Sequence, residues 1–167
     1  MPDLLTHLLF GIALAGIIRF KRPEEAILFI LGSIIIDAER PFSLLVNLLG
    51  FPVLSLTLAF HSLFGAFMLS LIVASFIQDS HNDFKLRFSL LFSGTLLHLL
   101  LDLTLYPWVE QGVFLLYPLK FPFSFNLFWP NYLGYPIMGI FAFIIMLLYN
   151  HQFILDYFNQ KRINNPS

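Results

Sequence analysis

Gly94-Thr-Leu-Leu-His98-Leu-Leu-Leu-Asp102-Leu-Thr-Leu-Tyr106 sets a histidine and an aspartate four residues apart inside an apolar run. On a helix, positions i and i+4 leave the same face about one turn apart. The run over residues 88–106 is long enough to cross a bilayer, for which about 20 apolar residues at about 1.5 Å of rise each suffice. An aspartate at the centre of a membrane helix costs about 3 kcal/mol on insertion scales. A bound metal ion or a wet polar site would offset that cost.

The rest of the composition agrees with a membrane setting. The chain has 167 residues, is 58% hydrophobic and only 11% charged, and has a mean hydropathy of +0.81. Soluble domains carry about 25% charged residues. The expectation is an integral membrane protein, all-α, with one helical domain over residues 1–158 and a polar tail over 159–167. A formal net charge of −1 gives no reason to expect a nucleic-acid partner. The absence of cysteine excludes disulfides, thiolate metal sites and cysteine nucleophiles. The N-terminus lacks the basic region of a signal peptide, so the first apolar run is expected to be retained.

Outward from the central run, residues 3–18 form a short apolar segment with His7 near its start. Arg19 and Lys21 can snorkel at its end. Pro23-Glu24-Glu25 is a good helix start. That helix carries Gly32 and Ser33, small enough for close helix approach, and should end or break near Pro41. Residues 41–50 are apolar but too short to span, and read as a re-entrant or interfacial segment. Residues 52–77 form a third long run with His61-Ser62 in its first half. Residues 78–87 form a polar loop. Residues 107–135, dense in aromatics and prolines, suit the headgroup region. A last span begins at Pro136. The pattern predicts four to five transmembrane helices.

Positive charges orient them. With the N-terminus outside and the C-terminus inside, Arg19, Lys21, Arg22, Lys85, Arg87, Lys161 and Arg162 fall on the cytoplasmic side and only Arg40 and Lys120 outside. His7 and Asp102 then lie about 6 Å, and His61 and His98 about 12 Å, below the outer ends of their runs. Asp37 and Glu39 sit where the second helix breaks. Six ionisable groups from four segments thus share the outer half of the membrane. Three imidazoles and two or three carboxylates at one depth are a ligand set for zinc or another divalent ion. A metal with an open position lowers the pKa of bound water to about 7, and a spare carboxylate can act as general base. Plainer roles compete for each group. His98 and Asp102 could form a helix-to-helix hydrogen-bonded pair, Asp37 and Glu39 could pair with Arg40, and Ser62 could be packing glue. His81 and His151 fall at the inner side and join no such layer.

The motifs Thr6-His7, Gly32-Ser33-Ile-Ile-Ile-Asp37-Ala-Glu39, Phe60-His61-Ser62, His98-Leu-Leu-Leu-Asp102 and Leu115-Leu116-Tyr117-Pro118 together resemble the YdjM-like family of membrane proteins predicted to be metal-dependent hydrolases. That family is in turn similar to zinc-dependent phospholipases C. Here Ile36 stands where the family has proline, Glu39 for a second aspartate and Phe60 for a threonine. The resemblance implies His7, Asp37, His61, His98 and Asp102 as metal ligands and Glu39 as a ligand or base. Glu39 and Asp102 are the candidate catalytic residues. The sequence therefore points to a membrane-embedded hydrolase that binds a divalent metal, zinc foremost, and acts on a lipid or lipid-linked phosphoester or ester. The alternative is a metal or proton transporter, or a scaffold, built on the same His/Asp cluster. The oligomeric state is left open.

Overall fold

A computed structural model describes residues 4–50, 58–77, 83–104, 113–119, 121–123, 125 and 137–150 of the chain. Six α-helices account for most of them: α1 (Leu4–Ile18), α2 (Pro23–Ile35), α3 (Glu39–Leu48), α4 (Leu63–Phe76), α5 (Phe84–Thr104) and α6 (Ile137–Asn150). A 3₁₀ turn, Ile36–Ala38, joins α2 to α3. The fold is all-α, and one antiparallel bridge, Val113 to Phe123, is the extent of strand pairing among the described residues. The expected tail at 159–167, His81 and His151 lie outside them.

Helix α5 is the centre. It packs most extensively on α2 and next on α4, while α1 packs on α2 and also touches α5. The α2–α5 crossing is close because both helices place glycine there. A Cβ on Gly94 would collide with the Phe29 carbonyl oxygen, and one on Gly32 with the Leu91 carbonyl oxygen. Small residues of this kind let membrane helices approach backbone to backbone. Two apolar clusters flank the crossing. Leu28, Ala74, Leu90 and Leu91 lie toward the start of α5, and Ile36, Ala66 and Leu99 toward its end.

The distribution of polarity is inverted relative to a water-soluble bundle. His7, Asp37, His61, His98 and Asp102 are buried, as are Ser33, Ser70 and Thr95. Large apolar side chains such as Leu48, Phe64, Phe76, Ile140 and Leu148 face outward. In α3 the polar face, Glu39 and Ser43, points in, and Leu44, Leu45 and Leu48 point out. Helices in hydrocarbon satisfy their own backbone groups, so apolar side chains can be turned to the surroundings. Among the described residues, α5 alone is by length and composition long and apolar enough to cross a membrane, at about 31 Å. Helices α1, α4 and α6 are apolar but shorter.

Three local expectations are corrected. Pro41 does not end the second helix. The interruption comes earlier, as the 3₁₀ turn, and Pro41 sits in the first turn of α3, where its missing N–H is not needed. Residues 52–77 are not one helix. Helical residues 58–60 give way at His61, and α4 starts after Ser62, whose hydroxyl oxygen accepts from the Gly65 N–H at 3.0 Å. Ser62 is thus an N-cap. The polar loop at 78–87 is shorter than expected. Asp83 Oδ1 accepts from the Leu86 N–H at 2.8 Å, so Lys85 and Arg87 already belong to α5.

Substituting Gly94 with alanine should therefore lower the detergent-phase unfolding midpoint markedly. Overpacking of this severity costs about 3 kcal/mol. An unchanged midpoint would contradict the backbone contact at the α2–α5 crossing. Ser62→Ala should cost only about 1 kcal/mol, the loss of one cap.

Candidate metal centre

Each donor arrives from a different device. His7 is one turn into α1. Asp37 is delivered by the 3₁₀ turn, which rotates it off the α2 face and into the bundle. His61 sits in the break before α4, and α5 supplies His98 and Asp102 from one face. All five side chains are buried, and His7 and His98 are fully so.

Asp102 is the hub. Its Oδ1 lies 3.5 Å from His7 Nε2, and its Oδ2 lies 3.4 Å from His98 Nε2 and 3.8 Å from His61 Nε2. His61 Nε2 is also 3.9 Å from Asp37 Oδ1. The His7 and His98 rings stack at 3.7 Å between centroids, tilted by 12°. Asp37 Oδ1 accepts from Arg40 Nε at 2.9 Å, so the ion pair that competes with a ligand role for Asp37 does form. That pair occupies one oxygen of Asp37 and leaves Oδ2 facing inward without a hydrogen bond.

The tautomer of the neutral His98 ring follows from one contact. His98 Nδ1 lies 2.8 Å from the Ser33 carbonyl oxygen. A carbonyl can only accept, so Nδ1 carries the proton and the lone pair of the neutral ring sits on Nε2, toward Asp102. A lone pair then faces a carboxylate oxygen with no proton assigned between them. His98 Nε2, His7 Nε2 and both oxygens of Asp102 are buried without a hydrogen-bond partner among the described residues. Buried polar atoms normally have partners, and an ion or ordered water could satisfy this cluster of exceptions.

A divalent ion fits the donor set. Two groups have ligand atoms within 4.8 Å of one another, His7, Asp37 and His98, and His61, His98 and Asp102. Nitrogen and oxygen ligands about 2.0 to 2.1 Å from a tetrahedral zinc ion stand about 3.3 Å apart. The His–Asp separations of 3.4 to 3.9 Å are close to that spacing. Histidine and carboxylate donors without thiolate also suit other divalent first-row ions.

The structure thus brings together His7, Asp37, His61, His98 and Asp102. Glu39 stands apart from both groups. It is buried, accepts a hydrogen bond from Ser43, and lines a cleft with Ile35, Ala38, Phe60, Leu69 and Val73. Sequence reasoning missed Ser33 as the partner that orients His98, and Ser43 as the partner of Glu39. The only trace of Ser33 in the sequence is its place beside Gly32, which reads as packing. The described residues of the aromatic segment also bond to the bundle. The Leu115 carbonyl accepts from the Leu63 N–H at 2.9 Å, and the Phe125 N–H donates to the Leu103 carbonyl at 2.8 Å. Phe114 is buried, and the segment therefore closes the end of the bundle that holds the histidines.

Fold and site define a helical membrane protein with a buried His/Asp cluster able to hold a metal ion. The sequence profile of the YdjM inner membrane protein family matches residues 1–162. The chain belongs to that family. No curated protein and no solved structure matches it.

Protein purified in detergent without chelator should carry a divalent metal in near-stoichiometric amount, read by inductively coupled plasma mass spectrometry. The His98→Ala/Asp102→Ala pair should lose it. Metal-free parent protein that stays folded and takes up no added zinc would rule out the metal centre.

Proposed function

We propose that this protein is a membrane-embedded, metal-dependent hydrolase acting on a lipid or lipid-linked phosphoester. The observation that supports this most is the set of buried donors around Asp102 whose facing atoms lack hydrogen bonds. His7, Asp37, His61, His98 and Asp102 would hold the ion. When bound, a divalent ion such as zinc polarises a phosphoryl or acyl oxygen and lowers the pKa of water to about 7.

The chain's own groups divide the remaining work. The Ser33 carbonyl keeps His98 in the tautomer that presents Nε2. Glu39 is the candidate general base, held by Ser43 beside the turn that carries Asp37. As general base, Glu39 would take a proton from the attacking water. Arg40, paired with Asp37 and about half exposed, offers a cation next to the centre. An arginine there suits an anionic phosphoester better than a neutral ester. The cleft at Glu39 has a volume of about 370 Å³ and apolar walls from Phe60, Leu69 and Val73. It gives an acyl chain a lateral approach from the leaflet.

Topology belongs to the same proposal. Helices α1, α2, α4, α5 and α6 form the membrane bundle, with α3 at the interface. Arg19, Lys21, Arg22, Lys85 and Arg87 lie at the ends of α1, α2 and α5 away from the histidines. These charges favour the cytoplasmic side, which puts the N-terminus outside and the metal centre in the outer half. A transporter would require hydratable groups through the other half. At mid-helix the hydroxyls of Ser70 and Thr95 donate to the Ala66 and Phe92 carbonyls of their own helices.

The test is phosphate or headgroup release from vesicles containing glycerophospholipids and prenyl phosphates, with metal-loaded protein. Glu39→Gln should lower kcat by about 10²- to 10⁴-fold with metal content unchanged. Activity that survives His98→Ala/Asp102→Ala would defeat the proposal.

A further inference from the structure

A second feature lies at the other end of the bundle. A groove of about 580 Å³ runs between α1, α2 and α6. Ile12, Ala15, Ala26, Ile30 and Leu147 give it apolar walls, and Arg19 and Arg22 stand at one end. Glu24 and Glu25 occupy the same turn of α2 without lining it.

Arg19 is held in an unusual way. Its φ is +55°, and it ends α1 in the left-handed region where glycine is the ordinary residue. A side chain in that conformation costs about 1 kcal/mol. The guanidinium is fixed despite that cost. Nε donates to Asn150 Oδ1 at 3.0 Å, and the group lies over the Tyr149 ring at 4.9 Å from its centroid. Asn150 in turn donates to the Gly16 and Met146 carbonyls, at 3.0 Å each. The side chain is thus positioned at the mouth of the groove by α6, on a backbone that would be relaxed by glycine.

We propose that this groove binds one anionic phospholipid, with an acyl chain along the α1–α2–α6 walls and the headgroup phosphate between Arg19 and Arg22. Three features select that occupant. The walls are apolar along their length, as an acyl chain requires. The cations are confined to one end, as a single headgroup requires. The chain belongs to an inner membrane protein family, so phospholipid is the molecule that surrounds this flank. A basic pocket between helices near the membrane surface is a recognised form of lipid-headgroup site. The site is remote from Asp102 and independent of any hydrolysis there.

The test uses the full chain, delipidated in detergent and titrated with short-chain phosphatidylglycerol or phosphatidylcholine, with binding counted by native mass spectrometry. Phosphatidylglycerol should bind about thirtyfold more tightly, since each arginine beside an anionic headgroup contributes about a factor of five. Arg19→Gly/Arg22→Gln should erase that preference, although glycine relaxes the backbone at position 19. Ala26→Phe, which fills the groove, should weaken both lipids. If the double variant fails to fold, Arg22→Gln alone should reduce the preference about fivefold. Equal affinity for the two lipids in the parent, or an unchanged preference in the arginine variants, would overturn the proposal. So would glycerol 3-phosphate competing as well as the lipid, which would indicate a free-phosphate site.

Discussion

The constraint on which the structure turns is the carboxylate of Asp102, buried and ringed by three imidazoles. An isolated buried carboxylate is too costly to keep ionised without a partner. A bound cation, as proposed, would resolve the conflict for all five donors at once. The surrounding architecture serves that placement. The 3₁₀ turn brings Asp37 inward, the break at His61-Ser62 lets a histidine point into the bundle where a continuous helix would carry it past, and the Ser33 carbonyl fixes His98.

Close approach of α2 and α5 makes this last contact possible. Gly32 and Gly94 bring the two backbones together, and Ser33 follows Gly32 directly. Its carbonyl, a turn ahead of Asp37, reaches His98 Nδ1 at 2.8 Å. The Ser33 hydroxyl meanwhile donates to the Ile30 carbonyl at 2.7 Å and approaches the His7 carbonyl at 3.3 Å. One small-residue pair in α2 thereby sets the spacing of three helices and the tautomer of one histidine in the cluster.

Much of this was legible in the sequence. His98 and Asp102 announce themselves because i, i+4 spacing survives any packing of α5, and an ionisable pair is too costly to sit in an apolar run without a partner. His7, Asp37 and His61 were legible through shared depth. The local geometry was less so. The ends of α2, α4 and α5 depend on hydrogen bonds of Ser62 and Asp83, and on where a 3₁₀ turn relieves the chain ahead of Pro41. Proline statistics identify the right region and the wrong residue. The roles of Ser33 and Ser43 were invisible, because a backbone carbonyl and a small hydroxyl carry no signature until their partners are in place.

The order of the donors along the chain has a consequence for biogenesis. The centre draws on positions 7, 37, 61, 98 and 102, and the segment that closes it comes later still, through Leu115 and Phe125. A chain made from its N-terminus cannot assemble this centre until α5 has been inserted. If the helices span the bilayer as proposed, the earlier ones enter it carrying a histidine and an aspartate whose partners are not yet made, and water, or the insertion machinery, would have to shelter those groups in the interval. Binding of the proposed ion would then be the step that completes the bundle.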